Sequence, residues 1–154
     1  MKTSAGLSLE NTVLVVEDSD EDFDTLCEAA KAAGLSRPIH RAASGGDCLA
    51  LLQGGGQAAP SALPALILMD LNSHGVDGRE ALVAIKTATA LKGIPVVILT
   101  TSANRKDLAL CYEAGANACH VKPVRHDEYL RLLGLLLSYW LECATLQTAV
   151  VKAG

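Results

Sequence analysis

The chain has 154 residues, of which 50% are hydrophobic and 19% charged, so it has the size of one compact domain and is too apolar to be disordered. Its net charge of −4 and its aromatic fraction of 3% argue against a nucleic-acid-binding surface. No apolar run reaches the ~18 residues of a membrane span, and the first residues lack the apolar stretch of a signal peptide. Five cysteines without a CxxC pair therefore predict a reduced, cytoplasmic protein.

The first half of the chain alternates between strand and helix patterns. An apolar run at 13–16 predicts a strand buried on both faces. A helix should follow it, with Ser19 as its N-cap, three acidic residues in its first turn and Gly34 just past its end. A weak strand at 38–42, a short helix around 49–52 and a second buried strand at 65–69 complete this half, with a Gly- and Pro-rich loop at 54–64.

The second half repeats the alternation. A third helix is expected after Gly78, with Asp77 and Gly78 forming the turn before it. A strand at 96–99 leads to a fourth helix that Gly115 ends, and a fifth strand is predicted at 118–121. The last helix should run from about 127 to 143. Five β–α units in series predict an α/β fold with a doubly wound parallel sheet, in which ligands bind outside the carboxyl ends of the strands.

The residues at those carboxyl ends define a candidate site. Glu17 and Asp18 follow the first strand, Asp70 the third, Thr100 the fourth and Lys122 the fifth. If the first and third strands are neighbours, three carboxylates converge, and one lysine cannot neutralise them. Carboxylate and carbonyl oxygens favour Mg²⁺, so the sequence predicts an acidic magnesium pocket suited to phosphoryl transfer.

The chain resembles the receiver domain of two-component response regulators. Four separate stretches carry the resemblance, in the family's order: VLVVED (13–18), LILMDLNSHGVDG (66–78), IPVVILTTS (94–102) and AGANACHVKP (114–123). It implies a flavodoxin-like receiver fold with five helices and strand order 2-1-3-4-5, over residues 11–143, with 144–154 as a C-terminal tail. The single-domain layout and the ending LSYWLECATL resemble more narrowly the response regulators that partner bacterial and cyanobacterial phytochromes.

The resemblance also implies a metal-ligand set and a phosphoacceptor. Asp70 would take a phosphoryl group from a histidine of a sensor kinase. Asp18 would bind Mg²⁺ directly, as would Asp70 and the backbone carbonyl of Asn72, while Glu17 would bind the ion through water. An Asp70 that lay far from Asp18, or that was walled off from solvent, would contradict this arrangement.

Two further roles and two departures follow from the same resemblance. Lys122 would pair with a phosphoryl oxygen, and the Thr100 hydroxyl would turn toward the phosphoryl group. The family usually has proline four residues after the phosphoacceptor, where this chain has His74, and often an aromatic switch residue three before the lysine, where it has Cys119. A small thiol cannot change rotamer as a ring does, so the output signal is expected to travel through the fourth and last helices.

The last helix predicts an interface. Its apolar residues occupy nearly the whole circumference, whereas packing on one sheet face needs a stripe of about 100°. We expect a homodimer through this helix, with Tyr139 and Trp140 as anchors, because both residue types are enriched at binding hot spots. On this view replacing both by Ala gives a monomer. The alternative is a helix that overlaps the sheet more than usual.

The sequence thus predicts a phosphorylation-controlled signalling module, not an enzyme with a small-molecule product. Its expected partners are a sensor histidine kinase, for which a bacteriophytochrome is a candidate, and a downstream target or phosphotransfer protein. Two other functions remain open. A haloacid-dehalogenase-like phosphohydrolase also forms an aspartyl phosphate, but usually has a second Asp where this chain has Asn72. A pseudo-receiver would bind partners without being phosphorylated.

Overall fold

The computed structural model describes residues 9–53, 63–71 and 75–146. Within these residues the predicted alternation of strands and helices is confirmed. The strands are β1 (Val13–Val16), β2 (Ile39–Ala42), β3 (Leu66–Asp70), β4 (Val96–Thr100) and β5 (Ala118–Val121). The helices are α1 (Asp20–Ala32), α2 (Gly45–Leu52), α3 (Gly75–Thr87), α4 (Arg105–Glu113) and α5 (His126–Ser138). Most of the loop predicted at 54–64 lies outside the described residues.

The five strands form one parallel sheet in the order β2-β1-β3-β4-β5, which confirms the predicted fold. β1 therefore pairs directly with β3, and Val16 is in register with Met69. Thr100 at the end of β4 is in register with Val121 at the end of β5. The carboxyl ends of these strands thus meet at one edge of the sheet, where the candidate residues follow them.

Both faces of the sheet are covered by helices. In β1, Leu14 and Val16 belong to the core cluster that includes residues of α2, α3 and α4, whereas Val13 and Val15 belong to the cluster that includes α1 and α5. β3 and β4 divide their side chains between the two clusters in the same alternating way. Because successive strand residues point to opposite faces, strands buried on both sides need apolar residues at every position, which is the pattern of the sequence.

Helix α1 begins as predicted, and α3 does not. The Ser19 hydroxyl accepts a hydrogen bond from the Asp22 N–H at 3.2 Å and caps α1. Helix α3 begins at Gly75, so Asp77 and Gly78 lie inside it, and the predicted turn before the helix is wrong. The Asp77 carboxylate accepts the Gly45 N–H at the start of α2, and a side chain at position 78 would clash with Leu71. These contacts fix residues that in other contexts favour a turn.

The last helix ends where it was predicted but changes its hydrogen-bonding pattern on the way. It is α-helical to Ser138 and then forms a π-helical turn over Tyr139–Cys143. The Arg37 guanidinium donates to the Leu141 carbonyl at 3.2 Å and to Asn11 Oδ1 at 2.6 Å. An arginine at the entry to β2 thus binds the last helical turn and a residue two positions before β1.

Candidate functional site

Three acidic side chains surround one lysine at the carboxyl edge of the sheet. Lys122 Nζ lies 2.6 Å from Asp70 Oδ2, 2.6 Å from Asp22 Oδ2 and 3.7 Å from Glu17 Oε1. The side chains of Lys122, Asp70 and Glu17 are 5%, 4% and 4% exposed, and that of Asp22 is 31% exposed. The structure therefore brings together the predicted Glu17, Asp70 and Lys122. The lysine lies among the carboxylates and contacts them directly.

Asp22 also belongs to this cluster, although it was not among the predicted site residues. Its position in the first turn of α1 was explained by the helix dipole alone. Helix α1 starts at the edge of the site, so an acidic side chain in that turn can reach Lys122. The available signal was its position three residues after the N-cap Ser19, in a helix that begins where β1 ends.

The other predicted ligands lie differently. Asp18 is exposed and is not part of the cluster that the described residues form, so its role as a metal ligand stays a prediction. Asn72 and His74 lie outside the described residues. The Asp70 carboxylate, which was expected to face solvent, is nearly covered, and Lys122 binds it directly. At 4% exposure Asp70 approaches the walled-off state that would contradict the predicted arrangement, and its role as phosphoacceptor stays a prediction.

Burial and mutual repulsion shape the electrostatics of the pocket. Burial raises the pKa of Glu17 to about 8, and the hydrogen bond to Asp70 and the charge of Asp70 act in the same direction. Burial alone would lower the pKa of Lys122, but its contacts with Asp22 and Asp70 outweigh this effect and raise that pKa above its ordinary value. The lysine is thus firmly cationic, while one carboxyl group of the pocket resists ionisation.

This pocket has the composition of a divalent cation site. Glu17, Asp22 and Asp70 each offer a carboxylate oxygen, and these atoms lie within 4.8 Å of one another. Hard oxygen ligands suit Mg²⁺, Mn²⁺ or Ca²⁺. Three carboxylates around one lysine leave an excess of negative charge in a largely buried pocket, which a divalent cation would offset. The residues present therefore fit a divalent metal.

Thr100 lies at the same edge. Its side chain is buried, its hydroxyl accepts a hydrogen bond from the Ser102 N–H at 3.1 Å, and its carbonyl accepts one from the Lys122 N–H at 2.7 Å. The backbone of the lysine is thus attached to the threonine on the neighbouring strand. A displacement of Thr100 would therefore alter its hydrogen bonds to Ser102, in the loop after β4, and to Lys122, which binds Asp70.

Cys119 lies on β5 and is half-buried. Burial raises the pKa of its thiol to about 11, and the neighbouring Cys111 adds to this effect. The Cys119 N–H donates to the Tyr112 hydroxyl at 3.1 Å. Tyr112 lies on α4 and is 52% exposed. It thus places an aromatic ring beside Cys119, the position at which the family often has an aromatic switch residue. No sequence pattern predicts this contact, because the two residues belong to different elements.

Most apolar residues of α5 pack inside the protein. Tyr129, Leu133, Leu136 and Leu137 are buried, and Trp140 packs partly against the same core. Leu135 and Tyr139 remain 62% and 55% exposed. The rings of Tyr139 and Trp140 meet edge to face, with their centres 5.4 Å apart. The overlap of α5 with the sheet and α1 therefore accounts for much of its apolar surface, and a narrow exposed strip remains.

The fold and this edge of the sheet define a class of protein. The family model of the response regulator receiver domain matches residues 13–133. The chain belongs to this family, and it is therefore a receiver domain of two-component signalling rather than a dehalogenase-like hydrolase. Receiver domains are regulatory, bind a divalent metal and work with a histidine kinase. The predicted limits of 11 and 143 stay predictions. In the described residues, no helix is long and apolar enough to span a membrane.

Within the family, the chain is similar to phytochrome response regulators. It is 37% identical over 137 residues to response regulator Rcp1 of Synechocystis sp., covering 89% of this chain and 93% of Rcp1. The crystal structure of Mn²⁺-bound Rcp1 matches with a TM-score of 0.80 and 36% identity, over 88% of this chain and 98% of that one. The phosphorylated cyanobacterial phytochrome response regulator RcpA matches with a TM-score of 0.81 and 32% identity, over 90% and 99%.

Proposed function

We propose that Asp70 accepts a phosphoryl group from a sensor histidine kinase and that Mg²⁺ is the metal of the site. The observation that carries this proposal is the Asp70 carboxylate, bound by Lys122 at 2.6 Å within an acidic, cation-compatible pocket. The similarity to a phosphorylated phytochrome response regulator and to a Mn²⁺-bound one supports it. A phytochrome kinase is accordingly the first candidate for the phosphoryl donor. The cytoplasmic location stays a prediction.

In the proposed reaction, an Asp70 oxygen attacks the phosphorus of a phosphohistidine. A new O–P bond forms, the P–N bond breaks, and its electron pair stays on the imidazole nitrogen of the kinase. Glu17, Asp18, Asp70 and the Asn72 carbonyl would hold Mg²⁺. The cation, when bound, neutralises charge on phosphoryl oxygens.

Lys122 moves its ammonium group from Asp70 to a phosphoryl oxygen in this proposal. Asp22 would keep hold of the same ammonium group throughout, because its own carboxylate is not modified. The Thr100 hydroxyl would leave the Ser102 N–H and turn to the phosphoryl group. A phosphoryl group adds about two negative charges, which is enough to shift a balance between two loop conformations.

The partner surface proposed for output is a homodimer through α5. Leu135 and Tyr139 form an exposed apolar strip, with the exposed Arg131 before it and Glu142 after it. An antiparallel second copy would place each arginine beside the other's glutamate, so the strip is self-complementary. The Lys122 ammonium lies 5.1 Å from the Tyr129 ring centre, so α5 also contacts the phosphorylation site.

The phosphoacceptor role can be tested by incubating the protein with acetyl phosphate and Mg²⁺ and measuring intact mass. Wild type should gain one covalent phosphate, Asp70→Asn none, and the exposed Asp127→Asn the same as wild type. A wild-type protein that stays unmodified would instead behave as a pseudo-receiver. Phosphate on the Asp70→Asn variant would contradict the assignment of the acceptor.

The dimer can be tested by light scattering. Tyr139→Glu combined with Leu135→Glu should shift the protein to the monomer mass, because two charges would be buried in the proposed interface. Val124→Glu, at a fully exposed position in the loop before α5, is the control. The pair Tyr139→Ala and Trp140→Ala should act in the same direction. An unchanged dimer mass in the Glu variants, or a monomeric wild type, would refute the interface.

A further inference from the structure

Arg41 makes three contacts around the start of α1. It is on the edge strand β2, in register with Val15 of β1. Its Nε donates to the Glu17 carbonyl at 2.8 Å, and its Nη1 binds Asp20 Oδ1 at 2.7 Å. Its guanidinium carbon lies 5.1 Å from the centre of the Phe23 ring. One side chain thus spans residues 17–20, which we call the acidic loop.

These contacts fall on either side of Asp18. The carbonyl that Arg41 binds precedes Asp18, and the carboxylate that it binds follows two residues later. The acidic loop is also held from within, since the Ser19 N–H donates to Glu17 Oε2 at 3.3 Å. The Glu17 side chain contacts Lys122 and Asp70 at the sheet edge, whereas Arg41 is the sheet residue that also reaches Asp20, on the far side of Asp18. A planar guanidinium can satisfy two acceptors in a fixed geometry, which an ammonium group cannot.

A simple surface ion pair does not explain this arrangement. The Asp20 side chain is 91% exposed, so its pairing with Arg41 contributes little stability by itself. The bond to the Glu17 carbonyl is different, because it fixes backbone next to the acidic pocket. Arg41 is also a positive charge beside a site for a cation, where charge alone would weaken metal binding. If Arg41 acts by its position, removing it should weaken metal binding. If it acts only by its charge, removing it should strengthen metal binding.

We propose that Arg41 is a positioning residue that holds the acidic loop in the geometry for metal binding. This inference rests on the proposed function, in which Asp18 and Glu17 bind the cation. The gain from fixing the loop exceeds the repulsion between Arg41 and the ion. Arg41 itself contacts neither the metal nor the phosphoryl group.

The first test measures Mn²⁺ binding directly, by the electron paramagnetic resonance signal of free Mn²⁺. Arg41→Met removes the charge and keeps an apolar stem against Phe23, while Arg41→Lys keeps the charge and loses the two-pronged contact. Both should weaken Mn²⁺ binding by about 10-fold, the usual effect of losing a group that orients a metal ligand. Arg37→Gln, which removes the same charge at the other end of β2, should bind Mn²⁺ as wild type does. Tighter binding by Arg41→Met together with unchanged binding by Arg41→Lys would show a charge effect and overturn the proposal.

The second test follows phosphorylation by acetyl phosphate as a function of Mg²⁺ concentration. A positioning role raises the Mg²⁺ concentration for half-maximal rate in both Arg41 variants and leaves the maximal rate close to wild type. An unchanged half-saturation with a lower maximal rate would contradict it. Urea unfolding of each variant shows whether the protein is folded during these measurements.

The third test needs no metal. Hydrogen exchange of the backbone amides of the acidic loop should be faster in metal-free Arg41→Met than in wild type, while exchange in β3 and β4 stays the same. Unchanged exchange in the loop would overturn the proposal. If wild type itself binds no Mn²⁺, the proposed function fails at that point, and the exchange result still shows whether Arg41 holds the loop.

Discussion

Glu17→Gln should remove much of the pH dependence of stability that the metal-free protein shows between about pH 5 and 8. The Glu17 side chain is 4% exposed, and burial together with Asp70 raises its pKa from 4.5 to about 8. Within that interval the folded protein keeps the Glu17 proton, whereas the unfolded chain has released it. The folded state therefore binds more protons, and the free energy of unfolding falls as pH rises.

The size of the effect follows from the two pKa values. They differ by 8 − 4.5 = 3.5 units, and each unit corresponds to about 1.4 kcal/mol, so the full interval amounts to roughly 5 kcal/mol. Between pH 4.5 and pH 7 the free energy of unfolding should fall by about half to two-thirds of that total, or roughly 3 kcal/mol. Gln has the shape of protonated Glu and no titrating proton, so its variant lacks this contribution at every pH.

The assay is urea unfolding in EDTA at several pH values from 5 to 8. The difference between the wild-type and Glu17→Gln curves isolates the Glu17 contribution, because the other titrating groups are common to both. The exposed Glu128→Gln should keep the wild-type slope. Parallel curves for wild type and Glu17→Gln would refute the reasoning. Saturating Mg²⁺ should flatten the wild-type curve, since the cation favours the ionised carboxylate.

Two further predictions concern Lys122 and two glycines. Asp22→Ala should slow phosphorylation of Asp70 by acetyl phosphate about tenfold, because Lys122 loses a contact that orients it. Asp22→Ala should have no such effect when Lys122 is already replaced by Gln. A slower reaction in that background too would show that Asp22 acts on the metal instead. Gly115→Ala should lower the free energy of unfolding by about 1–3 kcal/mol, because Gly115 has φ +107° and a Cβ there would lie 2.9 Å from the Lys86 Cβ. Gly134→Ala, in an open position within α5, should instead raise it by up to about 1 kcal/mol, and equal urea midpoints for the two variants would contradict both expectations.

The strands and the edge at which they meet were predictable because they depend on local pattern. Apolar runs without alternation indicate strands buried on both faces, and the residues that follow them lie at one edge of any parallel sheet. Glu17, Asp70 and Lys122 could therefore be assigned to one site from the sequence. Their convergence needed only the strand order, which the structure confirms.

The features that sequence patterns did not reveal depend on contacts between elements. Asp22 has a sufficient local explanation as a helix-dipole residue, and only the packing of α1 over the sheet edge shows that it binds Lys122. Asp77 and Gly78 are residues typical of a turn, but they lie within α3, and position 78 is a glycine there because Leu71 occupies the space of a side chain. Arg41 has a long side chain whose direction no periodicity specifies, so its contact with the Glu17 carbonyl was invisible.

The contacts of Arg37 bear on how this protein can be joined to others. By binding both Asn11 and the Leu141 carbonyl, Arg37 brings the entry to the first strand beside the last helical turn. Both lie near the amino ends of the strands, across the sheet from the phosphorylation edge. A fluorescent reporter attached to the side chain at position 10 or 143, both exposed, would therefore leave Asp70 uncovered. Two reporters, one at each attachment point, would start only a short distance apart.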